Sequence, residues 1–267
     1  MKFLLSTISD ITYEDYDKWP DGMINGVFSA ECAAKYGLGL EIAEFCVSDN
    51  LDDGFPSADK MIRRKMSMAP AKVLHAPFNE LFPCAIERRA AQLARDRFAE
   101  AVSLACGYGI KKVVIHSGFA PTIYYESWFI QRSVGFWREF IENTPGDYEI
   151  CLENVMETSP DALCSVVEGV GSERFRLCFD VGHAYRCAHE QPSAWLDRMS
   201  PYISHFHIHN NTGGWDTHNA MDDGDIEMLP LLEKCLELCP DATFTVESIE
   251  LERSARWLRE NGFLEAD

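Results

Sequence analysis

His205, His207 and His209 alternate with Phe206 and Ile208. Side chains in a strand repeat every two residues, so the three imidazoles share one face and the two apolar groups the other. Asn210, Asn211, Gly213 and Gly214 then end the strand in turn formers. Asp216 and His218 follow two residues apart, placed to return a carboxylate and an imidazole to the strand end. One such histidine alone would read as a core residue, but the pattern is a series. Six strand-like segments end in His75, His116, Glu153, Asp180, His207 and Glu247, all of types that hold metal ions or carry protons.

The elements that must position these groups alternate along the chain. Strands are expected at 2–6, 38–43, 72–75, 112–116, 148–153, 176–180, 203–209 and 243–247, and helices at 26–36, 58–68, 85–106, 128–143, from 159, 192–199, 226–238 and 252–261. Ser159-Pro160-Asp161 is a helix start with a cap and a proline where the missing N–H is harmless, and Gly107 and Gly109 mark a helix end. Eight strand–helix units in 267 residues fit the α/β class as a (β/α)8 TIM barrel, a single domain over 1–267. Such barrels place their chemistry at the C-terminal ends of the strands, where these residues fall.

Phase supports the same arrangement. If Glu153 points inward, so do Cys151 and Glu149, while Leu152, Ile150 and Tyr148 face the helices; Asp180 goes inward with Cys178, opposite Phe179 and Leu177. Glu247 shares a side with Thr245 and Thr243, and His116 lies opposite Ile115 and Val113.

Composition narrows the function. The chain carries 43 acidic and 24 basic residues, a net charge of −19, which opposes nucleic acid and anionic membranes as partners. The N-terminus is too short in apolar residues for a signal sequence, no run of 18 apolar residues occurs, and ten cysteines without CxxC pairs read as free thiols. The expectation is a soluble, cytoplasmic protein. Carboxylates and imidazoles without thiolates suit Mn, Mg, Co, Zn or Fe. A cation held by Glu153, Asp180, His207 and Glu247 could serve proton transfer beside a carbonyl.

Seven short motifs in one order carry a resemblance: HAPF from His75, VIHSG through His116, LEN through Glu153, FDVGH from Phe179 to His183, HIHN from His207, DTH from Asp216 with Gly224 beyond, and VES through Glu247. The chain resembles the xylose isomerase-like barrel superfamily, which groups sugar isomerases and epimerases with endonuclease IV. The resemblance implies a metal on Glu153, Asp180, His207 and Glu247, with Glu153 and Glu247 as the catalytic proton-transfer pair of an epimerase. It equally implies the ligands of a trinuclear zinc site: His75 and His116 with Glu153 for a second ion, and His183, Asp216 and His218 for a third. The cofactor expectation is therefore one to three divalent ions, Mn, Zn, Mg or Co.

Charge separates the two reactions. Three divalent ions against four carboxylates leave about +2 and call for an anionic ligand, whereas one ion on three carboxylates leaves about −1 and suits a neutral sugar. The loops at 10–21 and 49–53 are acidic and would repel a duplex. The favoured reading is a metal-dependent isomerase or epimerase of a small sugar, sugar phosphate or polyol. A multinuclear phosphodiesterase or a non-catalytic sugar- or metal-binding barrel are the alternatives. His183 and His209 are expected to contact substrate, with support of the ligands as the other role for His209. His189 and His205 read as structural. Phe119, Trp128 and Trp215 could line a sugar pocket. Titrating labelled abasic or intact duplex DNA at low and moderate salt should give no binding at micromolar protein; tight binding with a steep salt dependence would instead support the phosphodiesterase.

Overall fold

A computed structural model describes residues 1–10 and 26–265. Most of the acidic stretch after the first strand, from Glu14 to Asp21, lies outside the described residues. Eight parallel strands close into a barrel in sequence order. They are β1 (Phe3–Ser6), β2 (Gly39–Ile42), β3 (Ala71–His75), β4 (Lys112–His116), β5 (Glu149–Glu153), β6 (Phe175–Asp180), β7 (Ile203–Ile208) and β8 (Thr243–Val246). The helices of the described residues are α1 (Phe28–Tyr36), α2 (Phe55–Met66), α3 (Arg88–Gly107), α4 (Glu126–Asn143), α5 (Asp161–Val170), α6 (Val181–Ala188), α7 (Leu196–Met199), α8 (Met228–Leu238) and α9 (Leu251–Glu260). Helix α6 was not expected from the sequence.

The expected phase holds. Leu4, Val73, Val114, Cys151 and Cys178 form a small apolar plug inside the barrel, while Val113, Ile115, Leu152, Phe179 and Phe244 belong to the large core between strands and helices. Helix α3 shows how the outer layer is built: Ala91, Ala94, Phe98, Ala101, Val102 and Ala105 recur at helical spacing and are its buried stripe. Phe98 stacks on Trp137 of α4 with ring centroids 5.7 Å apart.

Two irregularities shape the interior. One is between β2 and β3, where Leu40 pairs with Ala71 and Glu41 with Val73. The other is in β7, where Leu177 pairs with Ile203 and Cys178 with His205, so that Ser204 is the extra residue of a bulge. The Ser204 hydroxyl reaches Glu149, and its carbonyl accepts from Lys112 Nζ at 2.6 Å.

The acidic residues near the mouth do not all face solvent. Asp10 is buried, accepting from the Ser29 backbone N–H at 2.7 Å and its hydroxyl at 2.6 Å. Fully buried Lys65 of α2 lies 2.5 Å from Asp10 Oδ2 and 2.8 Å from Glu44 Oε1, and Glu44 accepts from the Thr7 hydroxyl at 2.8 Å. This corrects the expectation for Asp10, whose charge is spent inside the fold, where it ties α2 to the segment after β1. Lys65→Met would leave two buried carboxylates without their cation; urea denaturation should show a loss of about 3–5 kcal/mol.

Candidate metal centre

The strand ends converge on His207 Nδ1. Glu153 Oε1 lies 3.3 Å from it, Glu247 Oε2 3.5 Å and Asp180 Oδ2 3.8 Å. These distances are long for hydrogen bonds, and Glu153 Oε1, Asp180 Oδ2 and His207 Nδ1 are buried without a hydrogen-bond partner. Buried polar atoms are normally satisfied, and a group of them all facing one point is the arrangement a cation would complete. The donor set, three carboxylates and one imidazole, fits a divalent ion.

Local structure aims each group. Asp180 caps α6 through Oδ1, which accepts from His183 N at 2.7 Å, and this leaves Oδ2 for the site. Asn154 clamps β5 to β6: its Nδ2 donates to Asp180 O and its Oδ1 accepts from Asp180 N, both at 2.9 Å. Asn210 holds the loop bearing Asp216 and His218, donating to Met221 O at 3.0 Å and accepting from Ile226 N at 3.0 Å. His218 takes a positive φ of 47°, a conformation an ordinary residue holds only when its surroundings enforce it.

Two further clusters flank the first. Glu153 turns its other oxygen, Oε2, to His75 Nε2 at 3.2 Å and His116 Nε2 at 3.5 Å. Asp216 Oδ2 lies 2.9 Å from His183 Nε2 and 3.2 Å from His218 Nε2. In three of these rings the second nitrogen is anchored to a carbonyl. His75 Nδ1 donates to Ala76 O at 2.8 Å, His183 Nδ1 to Asn154 O at 2.9 Å and His218 Nδ1 to Glu247 O at 2.6 Å. A neutral ring anchored in this way presents its Nε2 lone pair to a carboxylate, so each Nε2 needs a proton or a cation between.

Without a cation the imidazoles carry that charge. Burial opposes it, but neighbouring groups outweigh it: Cys46 and then Glu153 at His75, Asp180 with Asp216 and Glu153 at His183, and Cys178 followed by Glu247, Glu41 and Glu153 at His207 hold these rings well above the usual histidine range, and Asp216 holds His218 at about 9. Glu153 is correspondingly held well below the carboxylate range by His207 and His116 in spite of its burial. His116 is the exception: burial pushes it down to about 3, and its ring stacks on Phe78 with centroids 4.2 Å apart.

All nine residues expected to bind metal are thus brought together. His209, expected at the substrate, is fully buried beneath α6, with Nε2 3.3 Å from Asp180 Oδ1, and is not part of the cavity wall. A Cβ on Gly182 would come within 2.0 Å of its ring, so the first turn of α6 can close over His209 only with glycine there. His205, one step below His207, is fully buried and bonded to Thr243 and Glu41. His189 takes the left-handed position after α6.

A cavity of about 420 Å³ opens above the ligands, with Glu153, Glu247, His183 and His218 in its wall. Of the three aromatic residues expected there, only Phe119 lines it; Trp128 borders a separate groove between α3 and α4, and Trp215 is 78% exposed. The aromatic wall is Phe78, Phe82 and Phe119. Glu41, buried near the end of β2 beside His205 and His207, belongs to none of the sequence motifs that mark the site. Its phase, opposite Leu40 and Ile42, was the available signal.

Residues 33–261 match the family model described as xylose isomerase-like TIM barrel. An uncharacterised protein, MJ1311 of Methanocaldococcus jannaschii, is 28% identical over 189 residues, 66% of this chain; the match spans 64% of that relative's length. Among solved structures, a D-tagatose 3-epimerase-like protein superposes with a TM-score of 0.76 at 22% identity, covering 98% of this chain and 97% of that one. The TTHB071 protein of Thermus thermophilus, soaked with zinc chloride, superposes with a TM-score of 0.71 at 20% identity over all of both chains.

Metal uptake should expel the protons that the imidazoles hold. Calorimetric zinc titrations in buffers of different ionisation enthalpy should report more than one proton released per chain at pH 7. Because His218 sits at about 9, apparent affinity should go on rising with pH from 7 to 9 instead of levelling off above 6.5.

Proposed function

This chain belongs to the xylose isomerase-like TIM barrel family, and from that premise we propose that it is a divalent-metal-dependent isomerase or epimerase of a small, unphosphorylated sugar or polyol. The observation that supports this most is the convergence of Glu153, Asp180 and Glu247 on His207 Nδ1, at 3.3, 3.8 and 3.5 Å, with both glutamates in the cavity wall. Glu153, Asp180, His207 and Glu247 would hold the cation. Once bound, it would polarise the carbonyl and fix the neighbouring hydroxyl oxygens of the substrate.

The protein's own groups would do the rest. Glu153 ends β5 and Glu247 follows β8, so the two carboxylates approach a bound substrate from different sides of the barrel. One would take the C–H proton beside the carbonyl and the other return a proton, on the opposite face for epimerisation. Their rigid placement compensates for basicity lost to the cation. Phe78, Leu81, Phe82 and Phe119 make an apolar wall that would exclude water. No lysine or arginine lines the cavity among the described residues, so a phosphate would find no side-chain clamp there, which favours the neutral member of the class.

A second reading rests on a separate observation. The backbone-anchored rings of His75, His183 and His218, each turning Nε2 to a carboxylate, offer two more cation positions and support a multinuclear hydrolase. Metal analysis separates the two, since one ion per chain favours the epimerase and three the hydrolase. Asp180→Asn keeps a good helix cap for α6 while removing a charged ligand, and should lower stoichiometric metal without unfolding the chain.

Incubating ketoses and polyol-derived ketones with metal-loaded protein in D2O should give deuterium incorporation visible by NMR. Glu153→Gln and Glu247→Gln should each cut it by at least about a hundredfold. Incorporation unchanged in both variants would refute the two-carboxylate mechanism.

A further inference from the structure

A chain of hydrogen bonds descends from the metal centre along the barrel axis, and its direction can be worked out from its lower end. Lys112 Nζ can only donate; it gives to Ser204 O at 2.6 Å and to Thr243 Oγ1 at 3.2 Å. With Lys112 on its lone pair, the Thr243 hydroxyl has its own proton to give, and His205 Nδ1 lies 2.7 Å away. His205 Nδ1 then accepts, and the proton of the neutral ring sits on Nε2, which faces Glu41 Oε2 at 3.0 Å. The opposite tautomer would set the Nε2 lone pair against that carboxylate.

Glu41 receives three donors. Thr245 Oγ1 gives to Oε2 at 2.6 Å beside His205, and His207 Nε2 lies 3.1 Å from Oε1. A carboxylate can only accept, so the His207 proton facing it sits on Nε2, and Nδ1 is the nitrogen left to hold either a second proton or a cation toward Glu153, Asp180 and Glu247. Both oxygens of this fully buried carboxylate take donors, and it lies on the Nε2 side of His207, away from the Nδ1 on which Glu153, Asp180 and Glu247 converge.

We propose that Glu41, oriented from below by Lys112, Thr243 and His205, is the positioning residue that fixes the tautomer and the ring plane of His207. This rests on the reading that His207 is a metal ligand. The sequence passes the orienting signal from a partly exposed lysine at the start of β4 to the metal centre, through side chains on four strands. Carboxylates behind a ligating imidazole raise its basicity and hold its orientation, and losing one typically weakens metal binding 10–100-fold.

The test joins zinc affinity, measured by chelator competition, to the His207 tautomer, read by imidazole 15N NMR in [15N]histidine-labelled protein. Wild-type protein should show the His207 proton on Nε2, both zinc-loaded and metal-free at a pH high enough to neutralise the ring. Glu41→Ala should lose about 10–100-fold in zinc affinity, and Glu41→Gln, whose amide oxygen can still accept from Nε2–H, should lose less. Thr243→Val, which leaves Glu41 in place, should free His205 to change tautomer and weaken zinc by a smaller factor, with the melting temperature as the control for folding. A His207 proton on Nδ1, or zinc affinity within twofold of wild type in folded Glu41→Ala, would overturn the proposal. Should Glu41→Ala fail to fold, unchanged affinity in both Glu41→Gln and Thr243→Val would do the same. If wild-type protein binds no zinc, the metal reading fails, and the metal-free spectrum still decides the tautomer.

Discussion

A carboxylate buried in a barrel needs positive charge beside it, and Glu153 requires it on two sides. One of its oxygens faces His207 and His183, the other His75 and His116. An unpaired ion at this depth costs several kcal/mol, so the centre holds together only while protons or cations sit between the carboxylates and the rings. Much of the upper barrel serves that requirement: the Asn154 clamp between β5 and β6, the Asp180 cap on α6, and the strained backbone at His218 each fix one group against this repulsion.

The parts of this arrangement that could be read in the sequence are those set by period two. Residue type together with strand phase places His75, His116, Glu153, Asp180 and His207 without knowledge of their partners, because a parallel barrel strand has one face for the interior and one for the helices. Features that depend on contacts distant in sequence were hidden. Asp10 is buried because Lys65, 55 positions on, is there to meet it. Helix α6 follows directly from β6 through Val181 and Gly182, residues poor in helix propensity, and what starts it is the capping side chain of Asp180. His209 reads as a site residue by phase, yet the turn of α6 above it removes it from the cavity. Trp128, in the first turn of α4, borders the groove beside α3, and Trp215 sits exposed on its loop, because residue type does not say which way an aromatic side chain will face.

The same physics bears on how two chemistries share one ligand list. Each imidazole anchored through Nδ1 can hold a proton or a metal ion at Nε2 without moving, so the number of bound ions can change while the protein frame stays fixed. A centre with one ion keeps protons on the flanking rings and remains near neutral; filling all three positions would turn the same cavity into an anion trap. The apolar wall and the lack of lysine or arginine around the cavity among the described residues leave its imidazoles, and any cation they would help to hold, as its sources of positive charge.

The bulge at Ser204 gives β7 one residue more than its partner β6 requires. Ser204 and His205 both turn into the barrel, the first to Glu149 and the second to Glu41, while Ile203 before them and Phe206 after them face the helices. Excising Ser204 would join Ile203, the partner of Leu177, directly to His205, the partner of Cys178, and leave an unbroken alternation with Phe206 and Ile208 still outward and His205 and His207 still inside. What such a deletion would remove is the hydroxyl that meets Glu149 and the carbonyl that accepts from Lys112, below the metal centre, while the inward histidines keep their phase. Across diverging copies of this chain, β7 should therefore be free to lose a residue at this one position, whereas a change of length anywhere between His205 and His207 would turn the ligand away.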